Sequence, residues 1–154
     1  MIVARELPRQ DEVLALLGAA RALSQSLYPP ESIHQLDITR LELPSVRFFV
    51  ARIDGLAVGC GAFKMEAPPA AELKSMFVAD TARGQGVGAA ILRTVEAAAA
   101  EAGATIMQLE TGIYHEAAQR MYARAGYTRR GPYGDYRDDP LSVFMQKSLT
   151  ESNP

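Results

Sequence analysis

Arg83-Gly84-Gln85-Gly86-Val87-Gly88-Ala89 is the most informative stretch of this 154-residue chain. It stands between an apolar run ending Met76-Phe77-Val78-Ala79 and an alanine-rich run that closes at Ala102. The first run has strand composition. The second has the three- and four-residue recurrence of a helix, with Val87, Ile91, Val95, Ala98 and Ala102 on one face. A helix start leaves several backbone N–H groups without internal partners. The aligned peptide dipoles add about half a positive charge there. Glycines without Cβ atoms let an oxygen-rich group approach those amides. Together these features make an anion cradle suited to a phosphate or diphosphate, and Arg83 adds a full charge at its mouth. The alternative is a plain loop-to-helix junction, but glycines at a helix start weaken the helix and call for a reason.

On the N-terminal side, residues 71–79 predict the strand that feeds the turn. Before it, Val46–Ile53 and Leu56–Met65 are rich in strand formers and flank Asp54-Gly55, a strong hairpin signal because both central positions want positive φ. Ala67-Pro-Pro-Ala70 reads as a loop. Residues 2–6 predict a first strand. Residues 9–27 predict a helix with Val13, Leu17, Ala20, Leu23 and Leu27 along one face and Asp11 and Glu12 in its first turn. Tyr28-Pro29-Pro30 breaks it. Residues 31–44 are hard to read; a short helix around Glu31–Leu36 is expected, ended by Pro44. On the C-terminal side, Gly103 closes the alanine-rich helix, and Thr105–Glu110 is a short buried strand. Residues 115–125 form a helix with Ala118, Met121, Tyr122 and Ala125 inward. Tyr127 leads into a further strand, residues 131–140 are a loop, and Ser142–Leu149 is the last strand. The order is that of an α/β or α+β fold, a mixed sheet with helices packed on it. Residues 1–149 read as one domain and 150–154 as a frayed tail.

Sixteen basic against eighteen acidic residues give a net charge of −2, so a whole-surface nucleic-acid binder is not expected. The single cysteine, Cys60, excludes a disulfide framework and a cysteine metal cage. Met1-Ile-Val-Ala-Arg5-Glu6 breaks into charge at once, and no apolar stretch suits a spanning helix. A cytoplasmic protein without membrane or nucleic-acid partners is expected.

The glycine turn is not a Walker A loop, because no Gly-Lys-Ser/Thr follows. It fits a loose G-x-G-x-x-A dinucleotide pattern, with Glu110 at the end of the next strand. Against that, Ala79-Asp-Thr-Ala-Arg83 separates strand from glycines, where a dinucleotide turn puts its first glycine directly after the strand. Arg83-x-x-Gly86-x-Gly88 resembles instead the Gln/Arg-x-x-Gly-x-Gly/Ala motif of the GCN5-related N-acetyltransferase (GNAT) superfamily. The resemblance extends to the Asp-Gly hairpin with Ala57-Val-Gly-Cys-Gly-Ala62 and to Ala118-x-x-x-Tyr122-x-x-x-Gly126-Tyr127. Leu109-Glu-Thr-Gly112, Gly131-Pro-Tyr-Gly-Asp-Tyr136 and Ser142-Val-Phe-Met-Gln-Lys147 look like a branch of small bacterial acetyltransferases.

The resemblance implies a mixed, mostly antiparallel sheet flanked by helices. It implies transfer of an acetyl group from acetyl-coenzyme A to a primary amine of a small molecule or peptide, by direct attack in a ternary complex. A coenzyme-A-binding sensor without turnover and a small dinucleotide-dependent oxidoreductase are the alternatives. No metal is called for, and a homodimer is a family-level expectation. Arg83, Gly84, Gln85, Gly86, Val87 and Gly88 would hold the diphosphate. Phe77 and Val78 would pair with the cofactor arm like an added strand, beside a slot where this strand splays from the next. Tyr122 would donate a proton to the departing thiolate; otherwise it is a packed core aromatic. Glu72, eleven residues before Arg83, would take the amine proton directly or through water; otherwise it is a strand-end carboxylate paired with Lys74. By strand alternation it shares a face with Lys74, Met76 and Val78. His115, where many members carry Asn, and Ala118 are placed against the cofactor arm; a solvent-facing His115 is the competing reading. Tyr133 and Tyr136 would line the acceptor pocket, faced by Tyr28, or form a structural turn.

Other signals are weaker. His115-Glu116 begins like a zinc-protease helix, but Gln119 stands where the second histidine belongs. Cys60 reads as a buried spacer. Asp135, Asp138 and Asp139 lack the order of a calcium loop and cap turns or attract a cationic acceptor. Arg120, Arg124, Arg129 and Arg130 form a solvated surface or meet coenzyme phosphates.

Overall fold

The computed structural model describes residues 1–66 and 68–150. Seven strands form one sheet: β1 (Ile2–Arg5), β2 (Val46–Ile53), β3 (Leu56–Lys64), β4 (Ala70–Val78), β5 (Ile106–Gly112), β6 (Thr128–Arg130) and β7 (Ser142–Ser148). Their spatial order is β1-β2-β3-β4-β5-β7-β6. Every neighbouring pair is antiparallel except β4–β5. A doubly wound parallel sheet is thereby excluded, and the mixed, mostly antiparallel sheet expected from the sequence is present. Ala67, in the expected 67–70 loop, and residues 151–154 of the expected tail lie outside the described residues.

Helices α1 (Asp11–Leu27) and α2 (Ile38–Leu41) cover one face; α3 (Val87–Glu101) and α4 (Glu116–Arg124) cover the other. Strand alternation in β2 divides the core between them. Phe48 and Val50 join Val13, Leu41 and Cys60 on the α1 side, whereas Phe49 and Ala51 join Ile91, Val95 and Leu109 on the α3 side. Cys60 is fully buried; burial pushes its thiol up to about 12, and its Sγ lies 3.3 Å from the Ser75 carbonyl. Among the described residues, no helix is long and apolar enough to cross a membrane.

Asp54 and Gly55 both take positive φ, 51° and 80°, as the two-residue hairpin demands. Gly103 (φ 104°) ends α3 as expected. Two expectations need correction. The segment 31–44 holds no helix over Glu31–Leu36. A 3-10 turn at Pro30–Ser32 is followed by α2, which begins only after Asp37 because the Asp37 carboxylate accepts the Arg40 N–H at 2.9 Å. The buried stripe of α1 also differs. Leu16 and Ser24 are buried, and Leu27 is 37% exposed. Gln35 Nε2 donates to Ser24 Oγ at 3.0 Å, which satisfies the buried hydroxyl and turns the stripe toward the 31–37 segment.

Candidate active site

The glycine turn has the expected local form. A 3-10 turn at Asp80–Ala82 buries Ala82 and delivers the chain to Arg83. Gly84 and Gly86 take φ of 77° and 78°, and Gly86 is the N-cap of α3 with no side-chain cap. Gly88 lies against α4, where a Cβ would meet Met121 Sδ at 2.7 Å. Val87 points into the core. Among the described residues, the amides of Gly84 through Ala89 donate to no protein acceptor. These six unpaired donors, with the positive end of a fifteen-residue helix behind them, fit a diphosphate. Gln85 turns away from them, donating to the Thr81 carbonyl at 3.3 Å. Arg83 is held at the mouth by Asp80 (3.2 Å) and the Val78 carbonyl (3.3 Å) and lies over the Phe77 ring.

Beside this turn the sheet opens. β4 and β5 pair only at Ala70–Glu72 with Ile106–Gln108 and then diverge. From Leu73 to Val78, β4 therefore has an unpaired edge. A slot of about 360 Å³ lies in the gap, walled by Leu73–Met76 on one side and Leu109–Gly112 on the other. The register of β4 with β3 slips between Cys60 and Ala62, and Ser75 at the slip takes φ 58°. This bulge overturns the expected alternation. Glu72 and Lys74 face the α1 side with each other, but Met76 and Val78 pack on the α3 side and Phe77 on the α1 side.

Tyr122, His115, Ala118 and Tyr28 all line the slot. Tyr122 is 5% exposed, and its ring lies 5.7 Å from that of Tyr127, so it is indeed a packed aromatic. Its hydroxyl nevertheless has no hydrogen-bond partner among the described residues, and no buried side-chain oxygen there is left unpartnered. The oxygen therefore keeps a small accessible surface, which lies on the slot. Burial first, and the Glu110 charge second, push this phenol far above its ordinary value, so it keeps its proton. His115 is not solvent-facing: it is half-buried and lies 2.8 Å from the Tyr28 hydroxyl. Tyr28 meets Tyr114 and His115 rather than Tyr133 and Tyr136. The turn through Tyr28-Pro29-Pro30 sends its ring to the slot and the chain after it to a different cavity.

That second cavity is a cleft of about 1180 Å³ between the 29–36 segment and the 131–141 loop. Ser32 Oγ donates to Asp139 across it at 2.6 Å. Glu72, Tyr133 and Tyr136 are brought together in this cleft. Both phenols donate to Glu72 Oε2, at 2.8 and 2.5 Å, and Lys74 Nζ lies 3.4 Å from the same oxygen. Burial, followed by interaction with Glu72, raises both phenols. Lys74 Nζ also donates to Tyr136 Oη at 2.8 Å and to the His34 carbonyl at 3.1 Å. His34 and Lys74 line both cavities and mark where they meet.

Two site residues escaped the sequence reading. Lys74 was seen only as a partner for Glu72. Glu110 entered the sequence reading only as the strand-end residue of the rejected dinucleotide pattern, yet it lines the slot near Tyr122. Met107 and Leu109 enter the core, so alternation sends Gln108 and Glu110 to the other face; a carboxylate amid an apolar strand was the available signal. Ser142 Oγ donates to Glu110 at 2.8 Å. Burial is the largest influence on this carboxyl and raises it above the ordinary range, against the pull of Ser142, His34 and Lys74.

The splayed β4–β5 pair beside a glycine-rich helix start is the arrangement that the resemblance to the GNAT superfamily implied. The sequence profile of the Acetyltransferase (GNAT) family matches residues 16–127, and the chain belongs to that family, whose members use acetyl-coenzyme A. Over 148 residues it is 43% identical to the IAA acetyltransferase of Azospirillum brasilense, covering 96% of this chain and 97% of that protein. It is 36% identical over 140 residues to the uncharacterized N-acetyltransferase YsnE of Bacillus subtilis (strain 168), covering 90% and 93%. The structure of a protein provisionally named an acyl-CoA N-acyltransferase, from Klebsiella pneumoniae, superposes with a TM-score of 0.83 at 33% identity, covering 97% of both chains.

Proposed function

We propose that this acetyltransferase moves the acetyl group of acetyl-coenzyme A to a primary amine of a small molecule or peptide, by direct attack in a ternary complex. The observation that carries this reading is the run of six amides, unpaired among the described residues, beside a slot in which the Tyr122 hydroxyl has no hydrogen-bond partner among those residues. The amides and Arg83 hold the diphosphate. The unpaired edge of β4 at Phe77 and Val78 pairs with the cofactor's amide arm, and Ala118 and His115 close the slot around it.

The amine enters from the cleft. Six carboxylates, Asp135, Asp138 and Asp139 among them, line it against Lys64, Lys74 and Arg137, which favours a cationic acceptor. The ammonium must lose a proton before it attacks. Glu110 is better placed for this than Glu72, because it lines the slot and burial raises its pKa, the direction that makes its carboxylate the stronger base. Glu72 already accepts two phenols and faces Lys74, so its role is to hold the cleft wall. Attack forms the C–N bond, the C–S bond breaks, the thiolate takes the Tyr122 proton, and the proton shed by the new amide nitrogen restores the phenol.

The test is release of free thiol with a panel of primary amines, in wild type and Tyr122→Phe. Loss of a positioned proton donor predicts turnover down by about 10²-fold or more, with acetyl-coenzyme A affinity within about twofold. Equal turnover removes Tyr122 from the mechanism. Tight cofactor binding without turnover on any amine favours a sensor over an enzyme.

A further inference from the structure

Tyr28 immediately precedes the 29–36 segment that lines the acceptor cleft, yet its ring lies in the cofactor slot. It covers Gly112 so closely that a Cβ there would run into the phenol. It stacks on His115 with centroids 5.3 Å apart and planes 17° from parallel. Its oxygen accepts the Tyr114 N–H at 3.0 Å and lies 2.8 Å from His115 Nδ1. The turn carrying His115 is held in turn: Gln119 Nε2 donates to the Gly112 and Ile113 carbonyls at 3.0 and 3.1 Å, and the His115 N–H donates to Gly112 at 3.1 Å.

This pattern assigns the imidazole protons. The Tyr114 N–H takes one acceptor position on the phenol oxygen, and among the described residues Nδ1 is the one acceptor within reach of the phenol's own proton, so that proton goes to Nδ1. Nδ1 is then bare and Nε2 carries the hydrogen. Burial first, and the positive charge of Arg83 second, lower the imidazole pKa and favour the neutral ring. Among the described residues Nε2 has no hydrogen-bond partner, although His115 lines the slot.

We propose that Tyr28 is a positioning residue: its phenol fixes His115 as the Nε2–H tautomer and aims that donor into the slot, at a carbonyl of the acyl carrier's amide arm. This rests on acetyl-coenzyme A as the slot's occupant. It makes one residue of the acceptor side set the hydrogen-bonding capacity of the cofactor side.

Nitrogen-15 NMR of the imidazoles reads the tautomer, with His115→Asn separating its signals from those of His34. The wild type is expected to show an unprotonated Nδ1 and a protonated Nε2, and Tyr28→Phe a mixture of tautomers. Tyr28→Phe keeps the ring and its stack. By calorimetry it should bind coenzyme A about three- to tenfold more weakly, the share of one aimed hydrogen bond. In a His115→Asn background the same substitution should lose little further. A protonated Nδ1 in the wild type, an unchanged tautomer in the variant, or fully additive losses each overturn the proposal. A wild type that does not bind coenzyme A overturns this and the acetyl-transfer reading together. Normal binding with additive losses overturns this one alone.

Discussion

Replacing Gly112 with Ala adds one methyl group where the structure has no room for it. Gly112 ends β5 without positive φ, so alanine meets no backbone strain there. Its Cβ, however, would sit inside the van der Waals envelope of the Tyr28 hydroxyl, with ring carbon Cε1 at 2.6 Å. Tyr28 cannot swing aside freely, being 8% exposed, stacked on His115 and bonded through its oxygen on both sides. Expelling the phenol loses two hydrogen bonds at about 0.5–1.5 kcal/mol each. It also forfeits about 1.5–3 kcal/mol of aromatic burial. Partial relaxation of the 28–36 segment takes the outcome toward the lower end, about 3 kcal/mol. For a chain of this length that is a fall of about 6–12 °C in Tm. Thermal melts followed by circular dichroism measure it. The control is Tyr28→Ala, with and without Gly112→Ala: once the phenol is gone, the added methyl should cost under about 0.5 kcal/mol. A melt within about 2 °C of wild type, or an equal cost with and without the phenol, refutes the reasoning.

Two further substitutions probe the slot and the cradle. Glu110→Gln should lower kcat by about 10²-fold or more and flatten the acid limb of the kcat/KM profile, because only the ionised carboxylate takes the amine proton; a retained limb assigns it to another group. The same variant carries a stability signature. The folded-state pKa of Glu110 is raised, so the folded chain holds the proton more tightly and the wild type loses stability as pH climbs from the ordinary carboxylate range through the folded value. Glu110→Gln should therefore be the more stable protein at about pH 8 and match wild type near pH 4; denaturation curves with no such crossover contradict the buried charge. Gly86→Asp puts a carboxylate and a Cβ at φ 78° among the six free amides. Acetyl-coenzyme A affinity should fall by at least about tenfold through strain and like charge, and titration showing unchanged affinity would contradict the cradle.

What the sequence disclosed was local. Asp54-Gly55, Gly86 and Gly103 announce their turns because few other residues tolerate those dihedrals. The Arg83–Gly88 run is legible for the same reason. The bulge at Ser75 is not, since a serine at φ 58° carries no compositional mark. Gly61 opposite the slip, where a Cβ would meet Met76 Sδ at 2.6 Å, hints at it only after the fact. Reading β4 as an unbroken alternation put Met76 and Val78 on the wrong face. The expectation that Tyr28 faces Tyr133 and Tyr136 fails because its partner His115 is 87 residues away, a distance no periodicity spans. Glu110 was visible as a charge in an apolar strand, but its burial, and hence its chemistry, depends on β7 and Ser142 packing beside it.

The burial of Cys60 has a practical side. It is the one thiol in the sequence, has no exposed surface, and ionises only near 12. Thiolates attack aromatic disulfide reagents, and this thiol is both protonated and out of reach in the folded chain. A colorimetric signal from such a reagent would therefore report liberated coenzyme A against a silent protein background. By the same logic, a cysteine introduced on the surface would be a unique handle for a fluorophore or spin label, with no need to engineer the native one away.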